Sequence, residues 1–280
     1  MNKKKNIEAI IKNALSEDIG SGDITSFATI PAKKKSIGKF ILKEDGIVAG
    51  LSVVKKVFKI YDKTIKFSPM FKDGDSVKKG ETVALVMGSS RSILSCERTA
   101  LNFLQRMSGI ATASHHFAEA VKHTKVKIID TRKTVPGLRM LDKQAVKAGG
   151  CNNHRFGLYD MFLIKDNHIA ASGSISSAIN DCRKFNRKKK KNFKIEVEVE
   201  NLEQLKEALE NEVDIIMLDN FKIEDMENAV VLIGNKAKIE ASGGININTV
   251  KEVAETGVDF ISVGALTHSV NALDISLEIE

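Results

Sequence analysis

The chain has 280 residues, 42% hydrophobic and 28% charged, with 43 basic and 36 acidic side chains and a net charge of +7. This suits a globular enzyme of one or two domains, and no apolar run approaches the ~18 residues of a membrane span. Cys96, Cys151 and Cys182 have no paired spacing, which argues against a disulfide framework or a zinc site, and the lack of Trp leaves few stacking platforms for nucleic acid.

The basic start, Met1-Asn2-Lys3-Lys4-Lys5, lacks the apolar stretch and cleavage site of a signal peptide, so a cytoplasmic location is expected. Residues 6–16 carry Ile7, Ile10, Ile11 and Leu15 on one stripe, which predicts an amphipathic helix ending in a turn at Gly20, Gly22 and Asp23. The stretch 36–86 is expected to be mostly β, with strands at 38–42, 47–49 and 82–87. Inside it, 71–81 looks like the turn of a biotinyl- or lipoyl-carrier domain but has no swinging lysine, so it is expected to be a β element without cofactor. A long helix is predicted over 97–123, burying Leu101, Leu104, Ile110 and Phe117.

The second half alternates strand-like and helix-like segments. Strands are expected at 126–129, 161–164, 195–199, 215–218, 237–240 and 260–263, with helices at 202–209, 224–233 and 249–255. Repeated βα units imply a parallel sheet or barrel. The expected boundary lies near residue 110, giving an α+β domain over 1–110 and a βα domain over 111–266, with the tail 267–280 free to pack back on the first. The run Arg187-Lys188-Lys189-Lys190-Lys191 is expected to be a solvated connection.

Polar residues follow each strand of the second half. They are Asp130, Thr131, Arg132 and Lys133; then Lys165 to His168; Glu198 and Glu200; Asp219 and Asn220; Ser242-Gly243-Gly244; and Gly264. One such group is an ordinary loop. Six successive ones describe a cavity, because the carboxyl ends of parallel barrel strands open at one mouth. Arg139, His154, Arg155 and Lys165, in a segment broken by Pro136, Gly137, Gly149 and Gly150, read as a cationic anion site. Glu196, Glu198 and Glu200 alternate with valines and share one face of their strand. With Asp219 they could hold Mg²⁺ through oxygen. Ser242-Gly243-Gly244 offers backbone N–H groups to a phosphate.

These residues resemble the quinolinate phosphoribosyltransferase family. The strongest stretches are Glu17 to Thr25, Glu97-Arg98-Thr99-Ala100-Leu101-Asn102, Ser108 to Thr112, Asp130-Thr131-Arg132-Lys133-Thr134, Pro136 to Arg139, Asn153-His154-Arg155, Leu163 to His168, Glu196 to Val199, Leu218-Asp219-Asn220, Glu240 to Gly244 and Val263 to Ser269. The resemblance implies an N-terminal α/β sandwich domain followed by an incomplete parallel α/β barrel. It implies transfer of phosphoribosyl from phosphoribosyl pyrophosphate (PRPP) to quinolinate, with decarboxylation, for pyridine nucleotide biosynthesis. It further implies a homodimer with shared active sites, with larger homo-oligomers left open.

By the same resemblance, Arg132, His154, Arg155 and Lys165 would hold the quinolinate carboxylates, with Arg98 arriving from the neighbouring chain. Lys133 would lie near quinolinate and the phosphates. Glu198 and Asp219 would serve Mg²⁺ and the ribose. Ser242, Gly243, Gly244, Gly264 and His268 would form the phosphate rim. Lys133, Lys165, Glu198 and Asp219 are the expected catalytic group. Two rivals stand beside this. One is a paralogue of the same fold, such as the molybdenum-transport-associated relatives or a non-decarboxylating nicotinate enzyme; Arg98, Arg132, Arg155 and Lys165 together suit a dicarboxylate better than the single carboxylate of nicotinate. A nucleic-acid-binding protein would spread its cations along one face.

Overall fold

The computed structural model describes residues 3–280; Met1 and Asn2, with which the first expected domain begins, lie outside them. In chain order the elements begin with α1 (Lys3–Ile19), α2 (Ile24–Thr29), β1 (Lys35–Leu42), β2 (Gly46–Ile47), α3 (Leu51–Tyr61), β3 (Lys66–Pro69), β4 (Ser76–Val77), β5 (Thr82–Ser89) and α4 (Ser90–Ala120). They continue with β6 (Lys127–Ile129), α5 (Arg139–Ala148), β7 (Phe162–Ile164), α6 (Asp166–Ser172), α7 (Ile175–Lys189), β8 (Ile195–Val199) and α8 (Leu202–Glu210). The last are β9 (Ile215–Asp219), α9 (Ile223–Ile233), β10 (Lys238–Ser242), α10 (Val250–Glu255), β11 (Phe260–Ser262), α11 (Ala265–His268) and β12 (Ile275–Ile279).

Two compact units result. Among the described residues the first comprises 3–115, 134–150 and 266–280; the second comprises 116–133 and 151–265. In the first, an antiparallel sheet runs β12-β1-β5-β3. The C-terminal strand therefore pairs with the first strand of the chain. Phe40, Phe58 and Phe67 form its aromatic core, with ring centroids 6.0–6.2 Å apart.

One helix of this unit overturns the mostly-β expectation. Val53, Val54 and Val57 favour strand, yet with Leu51 and Phe58 they fall on one helical stripe and are all buried. Burial of that stripe outweighs propensity. Gly50 starts α3 in the left-handed region at φ 103°, and Asp73 Oδ1 accepts from the N–H groups of Gly50 and Leu51, both at 2.9 Å. The carrier-like segment thus supplies the group that starts α3.

Polar residues of α4 hold its surroundings. Ser108 Oγ accepts from Ala49 N–H at 3.0 Å and Thr112 Oγ1 from Ile47 N–H at 2.9 Å. A Cβ at Gly109 would stand 2.0 Å from the Asn271 carbonyl oxygen, so only glycine admits the returning tail there. Arg106 donates from two nitrogens to the fully buried carboxylate of Asp142 on α5, at 2.9 and 2.8 Å.

The second unit contains six parallel strands ordered β6-β11-β10-β9-β8-β7. Five strands follow in chain order, and the first then pairs with the last. That is the closure of a barrel, left open at the seam between β6 and β7. Asn152 lies beside Ile129 of β6 through a single parallel bridge. Arg187, Lys188 and Lys189 form the last turn of α7, where cations complement the helix dipole, and Lys190 ends it in the left-handed region. Among the described residues no helix is long and apolar enough to cross a membrane.

Candidate active site

The strands of the second unit end in the polar groups that their order predicts. Lys165 directly follows β7, and its backbone N–H donates to His168 Nδ1 at 3.1 Å. That turn sends its ammonium to Glu198, the penultimate residue of β8, with which it forms a hydrogen-bonded ion pair. Glu198 is only 10% exposed as a side chain, whereas Lys165 is 42% exposed. The lysine is therefore the member that faces solvent.

Asp219 ends β9 and accepts from Asn220 Nδ2 at 2.7 Å. Asn220 sits in the left-handed region at φ 55°, and its N–H donates to the Ser242 carbonyl at 2.9 Å. This brings the β9 and β10 ends together. Gly243, at φ 96°, is required there, since a Cβ would stand 2.2 Å from Asn220 Oδ1. Gly244 is exposed and Gly264 half-buried just beyond β11. Lys133 is exposed after β6, its N–H donating to Thr131 Oγ1 at 3.0 Å.

The segment that fills the seam carries His154 and Arg155. Asp130, fully buried at the end of β6, fixes it by accepting from His154 N–H at 2.9 Å and from Asn153 Nδ2 at 2.6 Å. His154 Nε2 lies 3.0 Å from Glu196 Oε2 and 3.4 Å from Glu240 Oε2. Burial alone would lower the ring's pKa. Its contacts with Glu196 and Glu240 prevail and raise it to about 10. Burial and the nearby Glu240 push the Glu196 carboxyl upwards against the pull of His154. Arg155 is buried and donates from Nη1 to the Met161 carbonyl at 3.2 Å. Burial and neighbouring Arg132 both work against its charge, while Glu196 and Asp160 support it.

The expected site residues therefore fall into three groups. Lys165 meets Glu198, Asp219 meets the Ser242-Gly243 turn through Asn220, and His154 meets the inner carboxylates. Glu196 and Glu198 share a face as expected, Glu196 deep and Glu198 nearer the strand end, while Glu200 lies beyond β8 and is exposed. Arg98, His268 and Arg139 belong to the first unit. Arg98 is exposed on α4, and exposed His268 contacts Ser269 Oγ through Nδ1 at 2.7 Å. Arg139 opens α5 instead of a loop and donates from Nε to Thr134 Oγ1 at 3.0 Å.

Glu240, Asp130 and Asn153 carry contacts that strand-end reasoning did not assign. The signal for Glu240 was present, since a lone carboxylate in the apolar run Ile239-Glu240-Ala241 needs a buried partner. Glu198 and Asp219 end adjacent strands and offer oxygen atoms alone, a donor set that fits Mg²⁺.

A parallel barrel with an open seam, whose strand ends present lysines, arginines, carboxylates and a glycine-rich turn, has the arrangement of α/β-barrel enzymes that act on small anionic substrates. The models of the quinolinate phosphoribosyl transferase N-terminal and C-terminal domains match residues 23–108 and 110–278. The chain belongs to the quinolinate phosphoribosyltransferase family. It is 46% identical to the chloroplastic nicotinate-nucleotide pyrophosphorylase [carboxylating] of Oryza sativa subsp. japonica, over 98% of this chain and 78% of that protein. It is 43% identical to the probable nicotinate-nucleotide pyrophosphorylase [carboxylating] of Bacillus subtilis (strain 168), over 98% of this chain and 93% of that one. Among solved structures, NadC from Streptococcus pyogenes superposes with a TM-score of 0.93 at 42% identity, covering 98% of this chain and 96% of that chain.

Proposed function

We propose that this chain transfers phosphoribosyl from PRPP to the ring nitrogen of quinolinate and removes the 2-carboxylate, giving nicotinate mononucleotide, CO2 and pyrophosphate. The observation that carries this is the set of strand ends in the second unit, where Lys165, Glu198, Asp219 and the Ser242-Gly243 turn occupy four neighbouring strands. The family membership supports it over the whole chain.

The chemistry follows from these groups. The pyridine nitrogen lone pair attacks the anomeric carbon of the ribose, and the bond to pyrophosphate breaks with its electrons on the leaving oxygen. Glu198 and Asp219 stabilise the oxocarbenium character that develops, and Lys133 and Lys165 receive charge at the leaving group and carboxylate. Ribosylation leaves the ring cationic. The bond to the 2-carboxylate then breaks as CO2 departs, its electron pair remaining at a carbon stabilised by the adjacent ring nitrogen, and a proton takes its place. Glu198 and Asp219 would also hold Mg²⁺, which when bound neutralises phosphate charge. Arg132, His154, Arg155 and Lys165 take the two carboxylates, and Ser242, Gly243, Gly244, Gly264 and His268 form the phosphate rim. Arg98 serves the site of the neighbouring subunit in a homodimer, and the protein works in the cytoplasm.

Quinolinate and nicotinate offered at equal concentration with PRPP test the reading. Quinolinate should be consumed and nicotinate should be a poor substrate. Comparable turnover of nicotinate would mean that the cations do not select a dicarboxylate. A chelator should abolish activity and Mg²⁺ restore it, while undiminished activity in metal-free buffer would remove the metal from the scheme.

A further inference from the structure

Barrel interiors are ordinarily filled by layers of branched apolar side chains drawn from alternate strands. Here β8 and β10, with β9 between them, place Glu196 and Glu240 on one imidazole. Both carboxylates are buried, at 0% and 1% exposure. Glu196 Oε1 and both oxygens of Glu240 accept no hydrogen bond. Buried carboxylates so poorly satisfied need a cation at hand. The imidazole reaches them from the segment that runs beside β6, and Asp130 holds the backbone of that segment.

Two cations could answer that need. One is a metal ion, since one ligand atom each from His154, Glu196 and Glu240 all lie within 4.8 Å of one another. The other is the protonated ring itself. The surrounding charges favour the ring. Arg155 and Arg132 already stand with His154 among Glu196, Glu240, Asp130 and Asp160, so the carboxylates have cations at hand before any ion is added. A divalent ion would enter beside two guanidinium groups.

We propose that Glu240, together with Glu196, is a positioning residue that clamps His154 at its Nε2 edge and keeps the ring a fixed cation for the carboxylate-binding part of the site. The role of His154 toward quinolinate rests on the function proposed above; the state of the ring does not. The clamp explains why a barrel layer is ionic where apolar packing would be ordinary.

The test uses this whole chain labelled with ¹⁵N-histidine, with the His154 signal assigned by its loss in His154→Asn. At pH 8.5 an exposed imidazole of pKa about 6.5 is neutral. His154 should still show two protonated ring nitrogens. In Glu240→Gln the signal should move to that of a neutral ring. KM for quinolinate should rise about tenfold while KM for PRPP stays within about twofold, as loss of one charge-assisted contact requires. Glu240→Asp should recover part of both. A neutral ring in the wild-type protein would overturn the clamp, and this needs no variant to fold. A variant with an unchanged ring or an unchanged KM for quinolinate would overturn it too. One tightly bound transition metal per chain, lost in Glu240→Gln, would replace the clamp with a metal site. A charged ring in a protein that does not turn over quinolinate would defeat the proposed function and leave the clamp standing.

Discussion

Asp130 accepts from a backbone N–H and a side-chain amide of the segment that bears His154, while itself fully buried. Asp130→Asn keeps the shape and loses the charge. A hydrogen bond to a charged group contributes ~1.5–3 kcal/mol, so denaturant unfolding should show a loss of about that size, with weaker quinolinate binding. An unchanged midpoint would show that the segment is held by other contacts. Because the folded ring has its pKa raised to about 10, the stability that His154 contributes is present below pH 6.5 and lost as pH rises through 10. The stability gap between wild type and His154→Asn should therefore narrow across that window; a constant gap would contradict the raised value. The thiols give a third check. Burial pushes Cys96 and Cys151 up to about 12, so a thiol reagent at pH 8 should label only half-buried Cys182 in the native protein. At this scale the sequence was readable wherever a charged residue followed a strand. The partners of Glu240 and Asp130 were not readable, even though the apolar run around Glu240 called for one, because contacts that join residues 86 and 24 positions apart appear only when strands and seam are placed together.

The helices α4 and α5 are joined by an ion pair whose two members differ in exposure: Asp142 is fully buried and Arg106 23% exposed as a side chain. Burial pushes the Asp142 carboxyl up, and Arg106 opposes that shift. Arg106→Ala leaves the carboxylate without this partner and should cost about 3–5 kcal/mol, whereas Arg106→Ala combined with Asp142→Leu should recover much of it. Equal losses in both would show that the pair contributes through packing alone. Gly109→Ala on α4 should also destabilise, since its Cβ meets a backbone oxygen that cannot swing away. Strands were legible as elements: β8 falls on 195–199 as its alternation predicts, and β9, β10 and β11 shift by one or two residues. Helix α3 was not, because three valines speak for strand until the opposite face is seen to be solvent. Helix α5 was hidden by the glycines and proline around it, which mark its ends: Pro136 and Gly137 before it and Gly149 as its cap.

At the scale of the whole molecule, the mixed α/β architecture was legible because βα alternation dictates a parallel sheet, and the barrel follows from its strand order. The exposed place of Arg98 on α4 suits a group that serves a neighbouring subunit. Arg98→Ala should weaken quinolinate binding by about tenfold to a hundredfold, the equivalent of ~1.5–3 kcal/mol. Mixing Arg98→Ala with Lys165→Ala subunits, with exchange confirmed separately, should restore activity, since one site of each heterodimer is intact. Confirmed heterodimers without activity would place Arg98 in its own subunit's site. The central claim, phosphoribosyl transfer coupled to loss of the 2-carboxylate, has a more direct measurement. Quinolinate carrying ¹⁴C in that carboxylate should release labelled CO2 only when PRPP is present, with one nicotinate mononucleotide formed per CO2; release without PRPP, or a ribosylated product that keeps the label, would contradict it.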